Sequence, residues 1–357
     1  MTPRDGPIDA AQIRAILLEG YGLHVYELEL LTGGLDRDAW TFRVKGSDGP
    51  EVVLRASRSL PKPGSHHVPR HLSAAGIEAV VAPVPTLSGE LVVRALGLSW
   101  SVCPYVDGSD GWSPPLSTAQ WNELGRILRA VHQTPIPQSF GGILKRDAFT
   151  VDRYVDGFDR CDAAIRELGS TDTALELAQT WASHRGTSLA LIEQLARLAP
   201  VLQSQPRRDV SCHGDLHPGN VLVGADGLHI IDWDEVLLAP PERDLIFVPG
   251  LPGPASTAER DAAANEGAFG RAFRAGYGLD EDDVDWVALA YYRCERIVQD
   301  VIAFANEAVD LVRDGTAAGE PVRWLRHVLQ PDGLAAGVTR RLPAHLRVLP
   351  DPGCEVR

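Results

Sequence analysis

The order of two periodicities predicts an α+β chain. Residues 25–32, 39–44, 51–56, 91–95 and 98–106 read as short strands separated by glycine turns, whereas beyond residue 117 apolar positions recur at helical spacing. A single hairpin signal interrupts the helical part, where residues 221–223 and 228–231 flank the turn Gly224-Ala225-Asp226-Gly227. Strands gathered early and helices gathered late are the pattern of an α+β fold, not of alternating βα units.

The elements follow in order. Residues 8–19 carry Ile13, Ile16 and Leu17 at helical spacing. Two strands then flank Gly33-Gly34, where the missing side chains let backbone amides approach a ligand closely. A plain hairpin turn explains the same pair of glycines. The third strand ends Val52-Val53-Leu54-Arg55, and Arg55 is either a cation for an anionic ligand or an exposed strand arginine. Residues 58–72 contain no acidic side chain, and prolines at 61, 63 and 69 oppose a long regular helix. Strand 98–106 closes with Val102-Cys103-Pro104-Tyr105-Val106. Ser117-Thr118-Ala119-Gln120 is a capping-box pattern opening a helix through Trp121, Leu124, Leu128 and Val131. His132 at its close reads as structural, and Pro135 and Pro137 end the helix. Residues 150–204 read as wholly helical, with Leu189, Ile192, Leu195, Leu198 and Leu202 on one face. A last long helix is expected from near Asp282, its start favoured by the acidic run 280–285.

The hairpin carries the chemistry. Asp215 and Asn220 precede its first strand and Asp232 follows its second, so pairing brings the three to one place. Phosphoryl transfer to a hydroxyl needs a carboxylate near the attacking oxygen and oxygen ligands for a magnesium ion on the phosphates. Asp and Asn can also merely cap turns. The alternation of His213, Asp215 and His217 resembles a metal site on a strand, but Pro218-Gly219 breaks such a strand at once. Asp234 shares a face with Asp232 on an extended backbone and is expected to support it.

His213-Gly214-Asp215, then Asn220, then Ile231-Asp232-Trp233 resembles the aminoglycoside phosphotransferase family. The late stretch Tyr291-Tyr292-Arg293-Cys294-Glu295-Arg296-Ile297-Val298-Gln299-Asp300 is similar to that of the spectinomycin phosphotransferases within it, as are Trp121-Asn122-Glu123-Leu124-Gly125 and residues 231–235, 238–240 and 242–245. The resemblance implies a bilobal protein-kinase-like fold. Residues 1–103 would be a small antiparallel-sheet lobe that binds nucleotide. Residues 104–357 would be a larger, mostly helical lobe for catalysis and substrate, with a helical insertion at about 150–204. By the same resemblance Asp215 is the catalytic base, and Asn220 and Asp232 hold Mg2+. Arg55, Gly33 and Gly34 contact the phosphates of ATP or GTP, and Cys103 and Val106 offer main-chain groups to the base. His213 and Asp234 support the site. Glu295 and Asp300 either bind a cationic substrate or are engaged by Arg293 and Arg296. The implied reaction is phosphorylation of a hydroxyl on an aminocyclitol or aminoglycoside antibiotic, most like spectinomycin, which would confer resistance. A metabolic kinase of a sugar, amino alcohol or natural-product intermediate stays open. So does a catalytically weakened nucleotide-binding relative, given the missing acid after Arg55.

Composition fits this frame. The 357 residues are 44% hydrophobic and 23% charged, as in soluble globular proteins. A formal net charge of -14 disfavours nucleic acid and suits a small cationic, hydroxylated substrate. No apolar run is long enough for a bilayer, and residues 1–6 lack a signal-peptide centre, so a cytoplasmic protein is expected, a monomer or homodimer with no membrane partner. Five scattered cysteines read as reduced thiols, not a disulfide frame.

Overall fold

The computed structural model describes residues 8–31, 38–47, 49–249, 251, 260–329, 338 and 342–348. The side chains of 260–266 and of Glu281 are outside the description. The chain forms two compact units, the first of Met1–Arg146 with Val210–Leu238, the second of Asp147–Asp209 with Ala239–Arg357. The expected lobe boundary after Cys103 falls inside the first unit.

The first unit is built on a five-stranded antiparallel sheet. Its strands are β1 (Val25–Leu31), β2 (Ala39–Gly46), β3 (Val52–Ser57), β4 (Val93–Ala95) and β5 (Leu98–Pro104), in the order β1-β2-β3-β5-β4. Alternation gives the sheet two unlike faces. Val52, Leu54 and Ala56 of β3 and Leu98, Trp100 and Val102 of β5 are buried with Ile13, Ile16 and Leu17 of α1 (Ala10–Tyr21). The other face carries Arg55, Ser57, Ser99, Ser101 and Cys103. One strand pair thus supplies both a core and a polar wall.

After β3 the chain forms α2 (Gly64–Ala74), a regular helix where the prolines argued against one. The reason is positional. Pro61 and Pro63 lie ahead of the helix, and only Pro69 is inside it, where its ring is buried and the cost is local. Helix α3 (Thr118–Gln133) opens as expected, with a complete capping box between Ser117 and Gln120. Between β5 and α3 lies a strand that composition concealed, β6 (Gly108–Asp110). It pairs antiparallel with β8 of a three-stranded sheet ordered β6-β8-β9. There β8 is Val221–Gly224 and β9 is Gly227–Ile230, while β7 (Val210–Cys212) lies outside this sheet. A β-carbon at Gly108 would lie 2.5 Å from the Val223 carbonyl oxygen, so glycine is what lets β6 come this close.

The second unit is helical. The predicted stretch 150–204 resolves into α4 (Asp152–Arg166) and α5 (Asp172–Ser204), the latter capped by Thr171. Leu189, expected on the apolar face, is exposed, whereas Ile192, Leu195, Leu198 and Leu202 are buried. Helices α6 (Arg260–Tyr277), α7 (Trp286–Arg313) and α8 (Gly319–Leu329) complete the unit. Helix α7 starts later than expected because Asp285 caps it, accepting from the Val287 and Ala288 amides, while 281–283 form a 3-10 turn. The cysteines among the described residues are free thiols. Among these residues no helix is long and apolar enough to cross a membrane.

Candidate active site

The β8–β9 hairpin forms as its turn predicts, with Val221 opposite Ile230 and Gly224 opposite Gly227. Its open end ties the loop before β8 to the segment after β9. The Ile231 amide donates to the Asn220 carbonyl at 3.0 Å, and the Asn220 Nδ2 donates to the Asp215 carbonyl at 2.9 Å. Residues 218–220 make a 3-10 turn that swings Asn220 into the ladder. Asp232 then takes a left-handed backbone, φ 62°, a conformation that Asp tolerates better than most residues and that turns the chain sharply.

Two features lock the loop. Gly214 has φ 88°, and a β-carbon there would overlap the Glu235 carbonyl oxygen, so the glycine is required twice over. His213 is fully buried against Trp233, with ring centroids 4.7 Å apart. Its Nδ1 accepts from the Asp215 amide at 3.3 Å, so its Nε2 is the protonated nitrogen and donates to the Ile231 carbonyl at 2.8 Å. Both ring nitrogens are engaged. His213 is therefore a strut between the two ends of the hairpin and not a metal ligand.

The charges converge as the pairing requires. Burial raises the Asp232 carboxyl above its ordinary range, and the charges of Asp234 and Asp215 push the same way while His213 and Arg55 oppose. Asp232 therefore lies within electrostatic reach of Asp215, Asp234 and Arg55. A cluster of two or three carboxylates and one amide oxygen is a hard-oxygen donor set, the kind Mg2+ takes. Asn220 commits its Nδ2 to the Asp215 carbonyl, which leaves its amide oxygen for such a role.

Arg55 lies opposite Ser101 on the polar wall. Its Nη1 is 2.5 Å from Oδ2 of Asp234. This answers which acid meets the cation, since 58–72 supplies none. Glu235 is engaged by Lys62 at 2.6 Å. Arg55, Lys62, Asp234 and Glu235 border a cavity of about 320 Å³ with Ser99 and His66.

Cys103 is placed differently from expectation. The Val84 amide donates to the Val102 carbonyl at one edge of β5, and the Tyr105 amide donates to the Glu51 carbonyl at the other. Alternation then turns the main-chain groups of Cys103 into the ladder with β3, opposite Val53. The same alternation turns the Pro104 carbonyl to the other edge, and Val106 follows past the end of β5. The Cys103 side chain lies on the Arg55 face, its thiol pushed up to about 11 by burial, with Arg55 opposing that shift and Asp234 adding to it. Gly33 and Gly34 fall outside the described residues.

The geometry also shows a residue that sequence reasoning passed over. Trp112 is exposed and stacks on His217, with ring planes 24° apart, and the His217 Nε2 is 3.8 Å from the Asp215 carboxylate. The Gly111 amide donates to the Pro218 carbonyl at 2.9 Å, which fastens this loop to the one that carries Asp215. The signal available was Gly111-Trp112 after a strand, which reads as an ordinary turn.

In the second unit Glu295 is buried and occupied. It accepts from Tyr154 and Arg153 through one oxygen and from Arg243 through the other. The side chain is 2% exposed, so it braces α7 against α4 and is closed to a ligand. Neither Arg293 nor Arg296 supplies these donors; Arg296 pairs instead with Asp300, at 3.0 Å. Asp300 keeps partial exposure.

A family model described as the phosphotransferase enzyme family matches residues 27–286. The chain belongs to the phosphotransferase enzyme family. Protein StrN of Streptomyces griseus is 30% identical over 219 residues, which span 59% of this chain and 66% of StrN, just under two thirds of that relative. Among solved structures, a spectinomycin phosphotransferase, APH(9)-Ia, in complex with ADP and spectinomycin, is 25% identical with a TM-score of 0.76, covering 92% of this chain and 97% of that one. The amicoumacin kinase hAmiN shares the fold at 15% identity, with a TM-score of 0.59 over 96% of each chain. The expected kinase-like α+β fold, with its antiparallel sheet and its helical part, is the one this family member has.

Proposed function

We propose that this phosphotransferase family member moves the terminal phosphate of ATP or GTP to a ring hydroxyl of an aminocyclitol or aminoglycoside, with spectinomycin-like acceptors first in line and antibiotic resistance as the outcome. The observation that carries the reading is the tie between the Asp215 loop and the Asp232 segment at the open end of one hairpin, with Arg55 beside them. The likeness to APH(9)-Ia supports the choice of acceptor.

In this reading residues 1–103 bind nucleotide and 104–357 carry catalysis and the acceptor. Asn220 and Asp232 would hold Mg2+, which when bound neutralises charge on the phosphates. Arg55 meets the phosphate oxygens from the polar wall of the sheet, with Gly33 and Gly34 as further candidates. The Pro104 carbonyl and the Val106 amide are the main-chain pair for the base edge. Asp215 accepts a hydrogen bond from the acceptor hydroxyl and aims it at the terminal phosphorus. Asn220 and His213 fix the backbone around Asp215, so orientation is in place before the acceptor arrives. The transition state is loose, so positioning and charge stabilisation supply most of the rate. The acidic balance of the chain favours a cationic acceptor.

The test is an ADP-release assay with Mg-ATP or Mg-GTP over aminocyclitols, aminoglycosides and sugar alcohols, with product mass confirmed. Phosphorylated spectinomycin is the expected result. Turnover of a sugar alcohol alone would keep the chemistry and replace the acceptor. Nucleotide binding without turnover of any acceptor would overturn the enzymatic reading.

A further inference from the structure

Kinases commonly fix the phosphate-binding cation of the third strand with a carboxylate from the next helix. That arrangement is absent here. The stretch entering α2 contributes Lys62 and His66 to the wall of the cavity beside Arg55, and no acid. The acids of that wall are Asp234 and Glu235, both from the segment just past Asp232. Glu235 is engaged by Lys62, and Asp234 meets Arg55.

We infer that Asp234 is the positioning carboxylate for Arg55, and that its place two residues after Asp232 ties the orientation of the phosphate-binding cation to the metal position. The inference rests on the phosphotransferase reading above and goes further by assigning a role that a helix residue would otherwise fill.

Three observations support the link. First, the Arg55 Nη1 donates to Oδ2 of Asp234 at 2.5 Å, a charge-assisted hydrogen bond, from the polar wall that borders the cavity. Second, the segment that carries Asp234 is rigid. Trp233 is 4% exposed, packs on His213 and donates from Nε1 to the Ile230 carbonyl. Asp232 and Asp234 are therefore carried on one braced support, and a shift of one moves the other. Third, Glu235 lends its carbonyl to the close approach of Gly214, which anchors the same support to the Asp215 loop. The base, the metal side chain and the counter-ion of the cation are thus set by a single piece of backbone. Helix α2 contributes no carboxylate to Arg55.

A double-mutant cycle tests this. ADP binding in the presence of Mg2+ is measured by calorimetry for the parent, Arg55→Ala, Asp234→Ala, the double variant and Asp234→Glu. Both side chains are more than a third exposed, so the variants are expected to fold, and thermal midpoints check it. Each alanine change is expected to weaken ADP about tenfold, the scale of one charge-assisted hydrogen bond. The double variant should lose no more than Arg55→Ala alone. Asp234→Glu should recover part of the loss, and KM for ATP should rise while KM for the acceptor holds. Losses that multiply in the double variant, or unchanged affinity in Asp234→Ala, would overturn the inference while leaving the phosphotransferase reading intact. A parent protein that binds no nucleotide would sink that reading and the inference with it.

Discussion

Gly214 lies directly against the carbonyl oxygen of Glu235, with no room for a side chain between the Asp215 loop and the segment after Asp232. At φ 88° it also occupies backbone space that an L side chain strains to enter. Gly214→Ala should therefore cost about 3 kcal/mol or more in stability, read as a lower urea midpoint. Gly141→Ala is the control. A β-carbon there meets nothing within 4 Å, and the change should be close to neutral.

Asp215→Asn keeps the shape of the loop, because the hydrogen bonds that fix it run through the main chain of residue 215 and the ring of His213. It should lower kcat by about 10²–10⁴-fold, the range for loss of a positioned base. ADP affinity should stay near the parent value. Near-parent turnover would remove Asp215 as the base.

Glu242 gives a pH signature in the second unit. Burial raises its carboxyl to about 7, even though it accepts from the Asp285 amide at 2.9 Å. The folded state therefore binds this proton more tightly than the unfolded chain does. The resulting stability is present in full below about 4.5, the unfolded value, and is lost as pH rises to about 7. Glu242→Gln keeps the acceptor and removes the charge. Its thermal midpoint should exceed the parent's at pH 8, and the advantage should vanish at pH 5. A parallel pair of midpoint curves would refute the assignment.

Glu295→Ala leaves Arg243 buried without its carboxylate partner and strips an acceptor from Tyr154 and Arg153. A loss of about 3–5 kcal/mol is expected from chemical denaturation. A stable Glu295→Ala variant whose one defect is a raised KM for the acceptor would restore Glu295 to the substrate site.

Much of this was legible in the residues because it is local. The Asp-Gly turn between two apolar runs specifies the hairpin, and the hairpin alone fixes which polar residues meet. The Ser117–Gln120 box is likewise a matter of four consecutive positions. What escaped depends on partners far along the chain. Strand β6 is Gly-Ser-Asp and has no strand propensity of its own; it exists because β8 offers an edge and Gly108 permits the approach. The acid beside Arg55 was sought in the next helix and lies 179 positions away. Pro69 argued against α2, yet a buried ring can outweigh one missing amide bond. Glu295 and Asp300 share a sequence neighbourhood but not an environment, since Arg153 and Tyr154 of α4 bond the first and Arg296 of α7 pairs with the second.

The path of the chain through the first unit has an evolutionary corollary. Arg55, Asp215, Asn220, Asp232 and Asp234 all belong to that unit, although the backbone departs from it after Arg146 and rejoins at Val210. The departing segment packs on α7 of the second unit and carries none of these five residues. Changes confined to its helices would leave the proposed phosphate-handling residues untouched, while Arg153 and Tyr154 would still have to meet Glu295 of α7.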